Sequence, residues 1–525
     1  MNGLVLSTST PTRFFLPCQK SYPPVPSIQV IRYLCPMQKI LVANRGEIAL
    51  RIQRTARKMG IKTVAVYSEA DRNAPHVRFA DEAYLLGPAP SAQSYLQADK
   101  IIQIAVEQGV DGIHPGYGFL SENAGFAQKV KAAGITFIGP EPHSIEMMGS
   151  KLAAKEAAKK YQVPMVPGIE EAITDVEKAK EIGRRIGYPI LIKASAGGGG
   201  KGMRIVEKEE DLKEQMERAI SEAISAFGDG AVFIEKYVTS PRHIEIQVLG
   251  DSYGNLVYLF ERECSIQRRH QKVVEEAPSA ILTPELRKAM GEAAVRVAQS
   301  CQYVGAGTVE FLVDDQLNFY FLEMNTRLQV EHPVTELITG LDLVELQIKI
   351  ARGEALPFQQ EDLKINGHSL ELRVYAEDPK NNFLPSVGTL QKYQVPEGLN
   401  IRVDGGYEEG MEVPIYYDPM LAKLAVWGAN RQEAIQKMRE AIDQYLVEGV
   451  ATTLPFGRFV MDHQAFQTAQ FDTNFVNQYF TPDQLEAKEA AAAQIAAKMA
   501  VQLYLEQQQQ LRTIPSIATN WTNRS

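Results

Sequence analysis

The sequence predicts a chain of mixed class, α/β at its start and α+β beyond, and three observations predict it. Strand-length apolar runs alternate with helical periodicity from Met37 to about residue 150, the pattern of a parallel, doubly wound sheet. From about Lys151 the strands come in succession around a glycine-rich turn, which fits a mostly antiparallel sheet with helices on one side. From about Gly367 a third block of strands precedes a helix, and no long linker separates the blocks, so they are expected to pack as one body.

Taken in order, residues 1–36 hold no Asp or Glu, three basic residues and six prolines. Prolines at 11, 17, 23, 24, 26 and 36 forbid the continuous amphipathic helix of a transit peptide, and no apolar core with a small-residue cleavage site marks a secretory signal. Met37 is therefore expected to be the natural start, with residues 1–36 a disordered or gene-model extension. Lys39–Ala43 reads as a strand, Arg45–Lys58 as a helix, Ile61–Tyr67 as a strand, Leu96–Gly109 as a helix and Val110–His114 as a strand. In such a sheet, ligands gather at the carboxyl ends of the strands. Helical Lys151–Tyr161 then leads to strand Tyr188–Ala194, helix Glu207–Ala226, and strands Ala231–Val238, His243–Leu249 and Asn255–Glu261. Strands Ser369–Ala376 and Ala422–Trp427 and helix Arg431–Tyr445 make the third block. Residues 484–511, rich in Ala, Glu, Gln and Leu, read as a last helix, with Pro515 near the start of an irregular tail. Lys498, in Ala497-Lys-Met-Ala500, superficially matches a biotin-carrying lysine, but such a lysine sits on a hairpin turn and this neighbourhood is alanine-rich helix former.

At 525 residues the chain can bury several cores. A net charge of −9 gives no general affinity for nucleic acid or an anionic membrane, and no window of about 18 apolar residues spans a bilayer. Any polyanionic ligand must therefore meet a local concentration of Lys and Arg. Four scattered cysteines make neither a disulfide framework nor a zinc site and suit a reducing compartment, the cytoplasm.

Four segments carry chemistry. Ala196-Gly-Gly-Gly-Gly-Lys-Gly-Met203 lets backbone amides approach phosphate oxygens, with Lys193 on the strand just ahead; a flexible surface turn is the alternative. Lys201 is followed by Gly202 and Met203, so this is not a Walker A loop. Glu235-Lys-Tyr-Val238 ends an apolar strand and could grip an adenine edge through its main chain, or be a plain strand end. Glu263–Glu276 holds Arg268, Arg269, His270 and Lys272 within five positions; without interleaved aromatics it favours a pocket for phosphate or bicarbonate over nucleic acid or a solvated turn. The fourth joins Glu310 to Glu323-Met-Asn-Thr-Arg-Leu-Gln-Val-Glu-His332 across the turn Val313–Asn318. Alternation puts Glu323, Asn325 and Arg327 on one face, and two carboxylates plus an amide on neighbouring strands offer hard oxygen ligands to Mg²⁺.

Glu323–His332 with Pro333, the turn at 196–203, Gln267–Lys272, Ala43-Asn-Arg-Gly-Glu-Ile-Ala49, His114–Asn123 and Tyr417-Asp-Pro-Met420 together resemble biotin carboxylase, an ATP-grasp enzyme, over roughly residues 37–480. The resemblance implies a Rossmann-like preATP-grasp domain at 37–150, an ATP-grasp domain at 151–366 with a mobile lid at about 168–238, a C-terminal biotin-carboxylase domain at 367–480 and a helical extension at 481–525. It implies ATP-dependent carboxylation of biotin by bicarbonate through carboxyphosphate. Lys151, Lys193 and the turn (Gly198, Gly199, Gly200, Lys201, Gly202, Met203) would hold the ATP phosphates. Glu235, Lys236 and Val238 would hold adenine, with His243, Gln267 and His270 towards the ribose or phosphates. Glu310, Glu323 and Asn325 would bind two Mg²⁺ or Mn²⁺ ions. Lys272, Arg327, Gln329 and Val330 would clasp bicarbonate, Glu331 would be the base, and Arg373 would stabilise the biotin enolate.

With no carrier or carboxyltransferase domain recognisable here, the expected partners are a separate biotin carboxyl carrier protein, carboxyltransferase subunits and a second copy of the chain. Acetyl-, propionyl- or methylcrotonyl-CoA, or pyruvate, would be chosen by the carboxyltransferase. The rival readings are another ATP-grasp ligase, of the carbamoyl-phosphate or purine type, and a non-enzymatic ATP-binding regulator.

Overall fold

The computed structural model describes residues 37–169, 173–194, 203–227, 230, 232–269 and 271–512. The expectations for residues 1–36, for His270, for Gly198, Gly199, Gly200, Lys201 and Gly202, and for the tail after 512 lie outside the described residues.

The first block is parallel, as the alternation predicts. Strands β1 (Lys39–Val42), β2 (Lys62–Ser68), β3 (Glu82–Gly87), β4 (Gly112–His114) and β5 (Thr136–Phe137) lie in the order β3-β2-β1-β4-β5. Both faces of β1 are buried: Ile40 and Val42 pack in one core and Leu41 in another, which is why the strand reads as a continuous apolar run. The strand order reverses between β1 and β4. The segments after them, Asn44–Glu47 and Tyr117–Phe119, border a cavity at the switch point where such sheets bind ligands.

The predicted lid span contains a separate three-stranded antiparallel sheet. Its strands β6 (Ile190–Ala194), β7 (Met203–Val206) and β8 (Val232–Lys236) lie in the order β7-β6-β8. Helices Val176–Ile186 and Leu212–Phe227 cover it around a core of its own, including Ile173, Ile190, Ile192, Met216 and Ile234.

The body is one eight-stranded sheet. Strands β9 (Arg242–Gly250), β10 (Leu256–Arg268), β11 (Gln271–Ala277), β12 (Gly305–Val313), β13 (Phe319–Asn325) and β14 (His368–Tyr375) join with Met420–Gly428 and Ile401–Gly405. The order is β13-β12-β9-β10-β11-β14, then Met420–Gly428, then Ile401–Gly405, with every pairing antiparallel. The sheet thus runs from the second predicted block into the third without a break at residue 366. The strand expected over Asn255–Glu261 runs on through Glu263–Arg268, which completes the 13 residues of β10. Its alternate residues Cys264 and Ile266 are buried, and Glu263 is neutralised by Arg242 at 3.0 Å, so the charges do not end the strand.

On one face helices Lys151–Lys160 and Pro284–Ser300 pack over β9, β12 and β13, while Arg431–Gln444 and Leu454–Asp462 pack over β14 and Met420–Gly428. On the other, His332–Thr339 lies across β10, β11, β14 and Met420–Gly428. The last helix, Pro482–Arg512, anchors through buried Leu485, and its Ile495, Met499 and Leu503 are exposed. Lys498 is an exposed residue within it, not on a hairpin. Among the described residues, no helix is long and apolar enough to cross a membrane.

Candidate active site

One face of the central sheet is apolar and the other charged, strand by strand. On β9, Ile244, Ile246 and Val248 enter the core while His243, Glu245 and Gln247 point the opposite way. Cross-strand partners share a face, so Glu323 on β13 stands opposite Glu310 on β12, Glu310 opposite Glu245, and Glu245 opposite Arg262 on β10. Further along, Glu275 on β11 faces Glu371 on β14, and Arg373 faces Lys423. Glu323, Glu310 and Arg373 of this charged face line a cavity of about 730 Å³.

Ten predicted residues line that cavity: His243, Lys272, Glu310, Glu323, Asn325, Arg327, Gln329, Val330, Glu331 and Arg373. Lys272 is the hub. Its ammonium donates to Glu245 at 2.5 Å, Glu331 at 2.7 Å and Glu310 at 2.9 Å. Burial alone would lower its pKa, but the three carboxylates hold it well above the usual lysine value. Glu310 Oε1 also accepts from Asn325 and Gln329, each at 2.9 Å, and His243 Nε2 lies 2.9 Å from Oε2. Burial would raise Glu310, yet Lys272 and His243 keep it well below the ordinary carboxylate range.

Glu331 is the N-cap of helix His332–Thr339, whose positive end favours its charge. Its carboxylate takes Lys272 on Oε1 and Arg373 on Oε2, the latter at 2.9 Å. Burial opposes ionisation, but Lys272, Arg373 and Arg262 together hold Glu331 well below its ordinary value. Arg373 also donates from Nε to Glu275 at 2.6 Å and from a terminal nitrogen to Tyr375 at 3.3 Å.

Glu323 differs from these. Burial and the facing Glu310 raise it, with Lys151 and His243 opposing. Two carboxylates in register, one carrying an uncompensated repulsion, fit a divalent cation, which takes hard oxygen ligands. Asn325 is not free to ligate as it stands: Nδ2 donates to Glu310, and Oδ1 accepts from Arg327 at 3.0 Å. Arg327 in turn donates from Nε to Glu122 at 2.8 Å. Two other groups of buried ligand atoms, His243–Glu245–Glu310 and Glu245–Cys264–Glu331, each fall within 4.8 Å. Lys272 already neutralises both.

The remaining predicted residues lie off the cavity. Lys151 opens helix Lys151–Lys160, exposed, with its charge acting on Glu323. Lys193 on β6 pairs with Glu235 on β8, whose other oxygen takes Lys155 at 2.8 Å. The Lys236 ammonium is spent on the carbonyls of Gly187 and Tyr188, at 2.8 and 3.1 Å. Val238 follows β8, Met203 begins β7, and Gln267 donates to His243 Nδ1 at 2.6 Å.

Sequence reasoning passed over three residues that hold the site together. Arg262 is fully buried and donates to Glu245, Gln247, Thr308, Gln329 and Thr335. Glu245 and Lys423 are also fully buried. Glu245 alternates with isoleucines in His243-Ile-Glu-Ile-Gln247 and Lys423 stands alone among apolar residues in Leu421-Ala-Lys-Leu424, both open to the eye, whereas Arg262 lies between Glu261 and Glu263 and reads as part of a charged run.

Three family models lie end to end on the chain. "Biotin carboxylase, N-terminal domain" matches residues 36–145, "Carbamoyl-phosphate synthase L chain, ATP binding domain" matches 150–359, and "Biotin carboxylase C-terminal domain" matches 371–478. One pyruvate carboxylase subunit of Methanothermobacter thermautotrophicus is 53% identical over 442 residues, 84% of this chain and 90% of that protein. The mitochondrial methylcrotonoyl-CoA carboxylase alpha subunit of Rattus norvegicus is 51% identical over 472 residues; they cover 90% of this chain but 66% of the rat protein's length. The biotin carboxylase domain dimer of Hydrogenobacter thermophilus 2-oxoglutarate carboxylase, crystallised with MgADP, ADP and bicarbonate, superposes with a TM-score of 0.77 at 50% identity, covering 84% of this chain and 97% of that one. A chain that carries this charged sheet face, and that shares more than half of its aligned residues with the Methanothermobacter protein over nearly the whole of the latter, belongs to the biotin carboxylase family.

Proposed function

We propose that this chain carboxylates biotin with bicarbonate and ATP, with the residues of the charged sheet face in distinct roles. The observation that carries the reading is Glu331: a buried, ionised carboxylate between Lys272 and Arg373, on the same face as the Glu310–Glu323 pair.

Bicarbonate, an anion, enters against Lys272, with Arg327, Gln329 and the Val330 amide completing its clasp. Its arrival draws the Lys272 ammonium away from Glu331 and strengthens that carboxylate as a base. Glu331 takes the proton from the bicarbonate hydroxyl. The freed oxygen attacks the γ-phosphorus of ATP as the bond to ADP breaks, which yields carboxyphosphate. Carboxyphosphate splits into CO₂ and phosphate, phosphate takes the N1 proton of biotin, and N1 adds to CO₂. Arg373 holds the negative charge that develops on the ureido oxygen. Glu310 and Glu323 would hold divalent ions, which would offset the negative charge of the nucleotide phosphates. Lys151 and Lys193 are assigned to the phosphates, with the glycine turn between β6 and β7. Glu235, Val238 and the main chain of Lys236 are assigned to adenine, and His243 and Gln267 to the ribose or phosphates.

Biotin arrives on a carrier protein, and carboxybiotin passes to a carboxyltransferase that selects the acyl-CoA or keto acid. Relatives that belong to pyruvate, methylcrotonoyl-CoA and propionyl-CoA carboxylases support that division. The dimeric Hydrogenobacter neighbour supports a homodimer. The two described cysteines, Cys264 and Cys301, are buried and free, in keeping with a reducing compartment.

Replacing Glu331 with Gln tests the reading. ATP binding should stay nearly intact while bicarbonate-dependent turnover collapses by about 100-fold or more. Turnover near that of the native protein would remove Glu331 as the base. Stimulation of ATP hydrolysis by ammonia rather than by free biotin would point instead to a different ATP-grasp ligase.

A further inference from the structure

Lys423 sits at the middle of Met420–Gly428 with no solvent exposure, between apolar neighbours. A buried ammonium is costly unless it is well partnered, and salt-bridged lysines are the common solution. The geometry here is different. Nζ makes its shortest contact, 2.9 Å, with the carbonyl oxygen of Val330, while Glu47 lies at 3.3 Å and Asp404 at 4.0 Å. The carboxylates balance the charge from farther off, and the hydrogen bond goes to a peptide of the loop that ends in Glu331. That carbonyl belongs to the peptide whose nitrogen is the Glu331 amide.

Arg373, the cross-strand partner of Lys423, donates to the Glu331 carboxylate. Neighbouring positions on one sheet face therefore hold the two ends of one residue, its side chain and its peptide. We propose that Lys423 is a positioning residue for the base: it fixes the Val330–Glu331 peptide, and with it the Val330 amide and the Glu331 carboxylate, relative to the sheet. Glu47 brings the first block into the same device, because it lies in the first turn of helix Gly46–Lys58 and accepts from Tyr117 on its other oxygen. The first block, the loop of the second and the strand of the third thus meet at one ammonium.

This inference rests on the reading of Glu331 as base, and the experiment separates the two. Lys423→Met keeps the length of the side chain and removes the donor and the charge. If Lys423 positions the base, the variant should keep ATP affinity within about twofold, raise KM for bicarbonate, and lower bicarbonate-dependent kcat by about 100-fold, the scale of a catalytic group displaced by roughly 1 Å. Its effect should also vanish in a Glu331→Gln background, since a residue that acts through Glu331 has nothing left to position. A folded Lys423→Met protein whose kcat and KM for bicarbonate stay within about threefold of native overturns the proposal, as does a loss that multiplies independently with Glu331→Gln. If the Met variant does not melt cooperatively, Lys423→Gln, which keeps a donor on a shorter stem, is measured by the same criteria. Collapse in Glu331→Gln beside native behaviour in Lys423→Met sinks this inference alone; native turnover in Glu331→Gln sinks the underlying reading.

Discussion

At the scale of single residues, the site is a set of cations each shared among several acids. Arg373 is the clearest case, with Glu275 on one side, Glu331 on the other and Tyr375 beside it. Burial would lower its pKa, but Glu275, Tyr375 and Glu331 hold it well above the usual arginine value, so its charge is permanent. Such a group cannot be the base, and it can stabilise a charge that appears late in the reaction. Arg373→Ala is therefore expected to depress biotin carboxylation more than biotin-independent ATP hydrolysis, by about 10-fold or more in the ratio of the two rates. Both activities would be measured on one preparation at saturating ATP. Equal losses would show that Arg373 serves the phosphorylation step, or the fold, and not the enolate.

At the scale of elements, the proposed metal site rests on the β12–β13 hairpin. Glu310 is already neutralised by Lys272 and His243, and Glu323 is the member raised by burial and by its neighbour. A cation at this hairpin relieves Glu323 most. Glu323→Gln should raise the Mg²⁺ concentration for half-maximal ATP hydrolysis by about 10-fold, with circular dichroism unchanged. An unaltered Mg²⁺ titration would take Glu323 out of the metal site. The hairpin was legible in the sequence because two apolar runs flank Val313–Asn318, and its one-face pattern follows from alternation alone. So was the parallel sheet, from β1 and β2 as buried runs. The extension of β10 to Arg268 was hidden, because Glu263 and Arg268 look like turn residues until Arg242 and Glu377, distant in sequence, neutralise them. The same holds for Arg262 and Lys423. Lys423 stands out as a single polar residue in an apolar strand and Arg262 hides between Glu261 and Glu263, but the partners of both come from strands and loops far along the chain, and only the register brings them together.

At the scale of the whole molecule, the eight-stranded sheet makes one body of two blocks that the sequence separates near residue 366. β11, from the second block, pairs with β14, from the third, and Glu276 sits at that seam. It accepts from His368 on β14 at 2.8 Å and from Arg431, at the start of helix Arg431–Gln444, at 2.6 Å. Burial would raise Glu276, yet Arg431 and His368 bring it down from its ordinary 4.5 to about 2. The unfolded chain therefore binds this proton first as pH falls. The stabilisation is full above about pH 4.5 and is lost progressively as pH drops towards about 2. Between about pH 5 and pH 3 that loss is about 2 kcal/mol, from roughly 1.36 kcal/mol for each unit of differential protonation. Glu276→Gln removes the titration at the seam, so its stability should fall less steeply than native over that window, by about the same 2 kcal/mol, in urea unfolding followed at both pH values. Because the sheet is continuous, the difference should appear in a single transition reported alike by probes in both blocks. Parallel pH profiles for the two proteins would mean that the seam is held by backbone pairing and apolar packing alone, with Glu276 electrostatically silent.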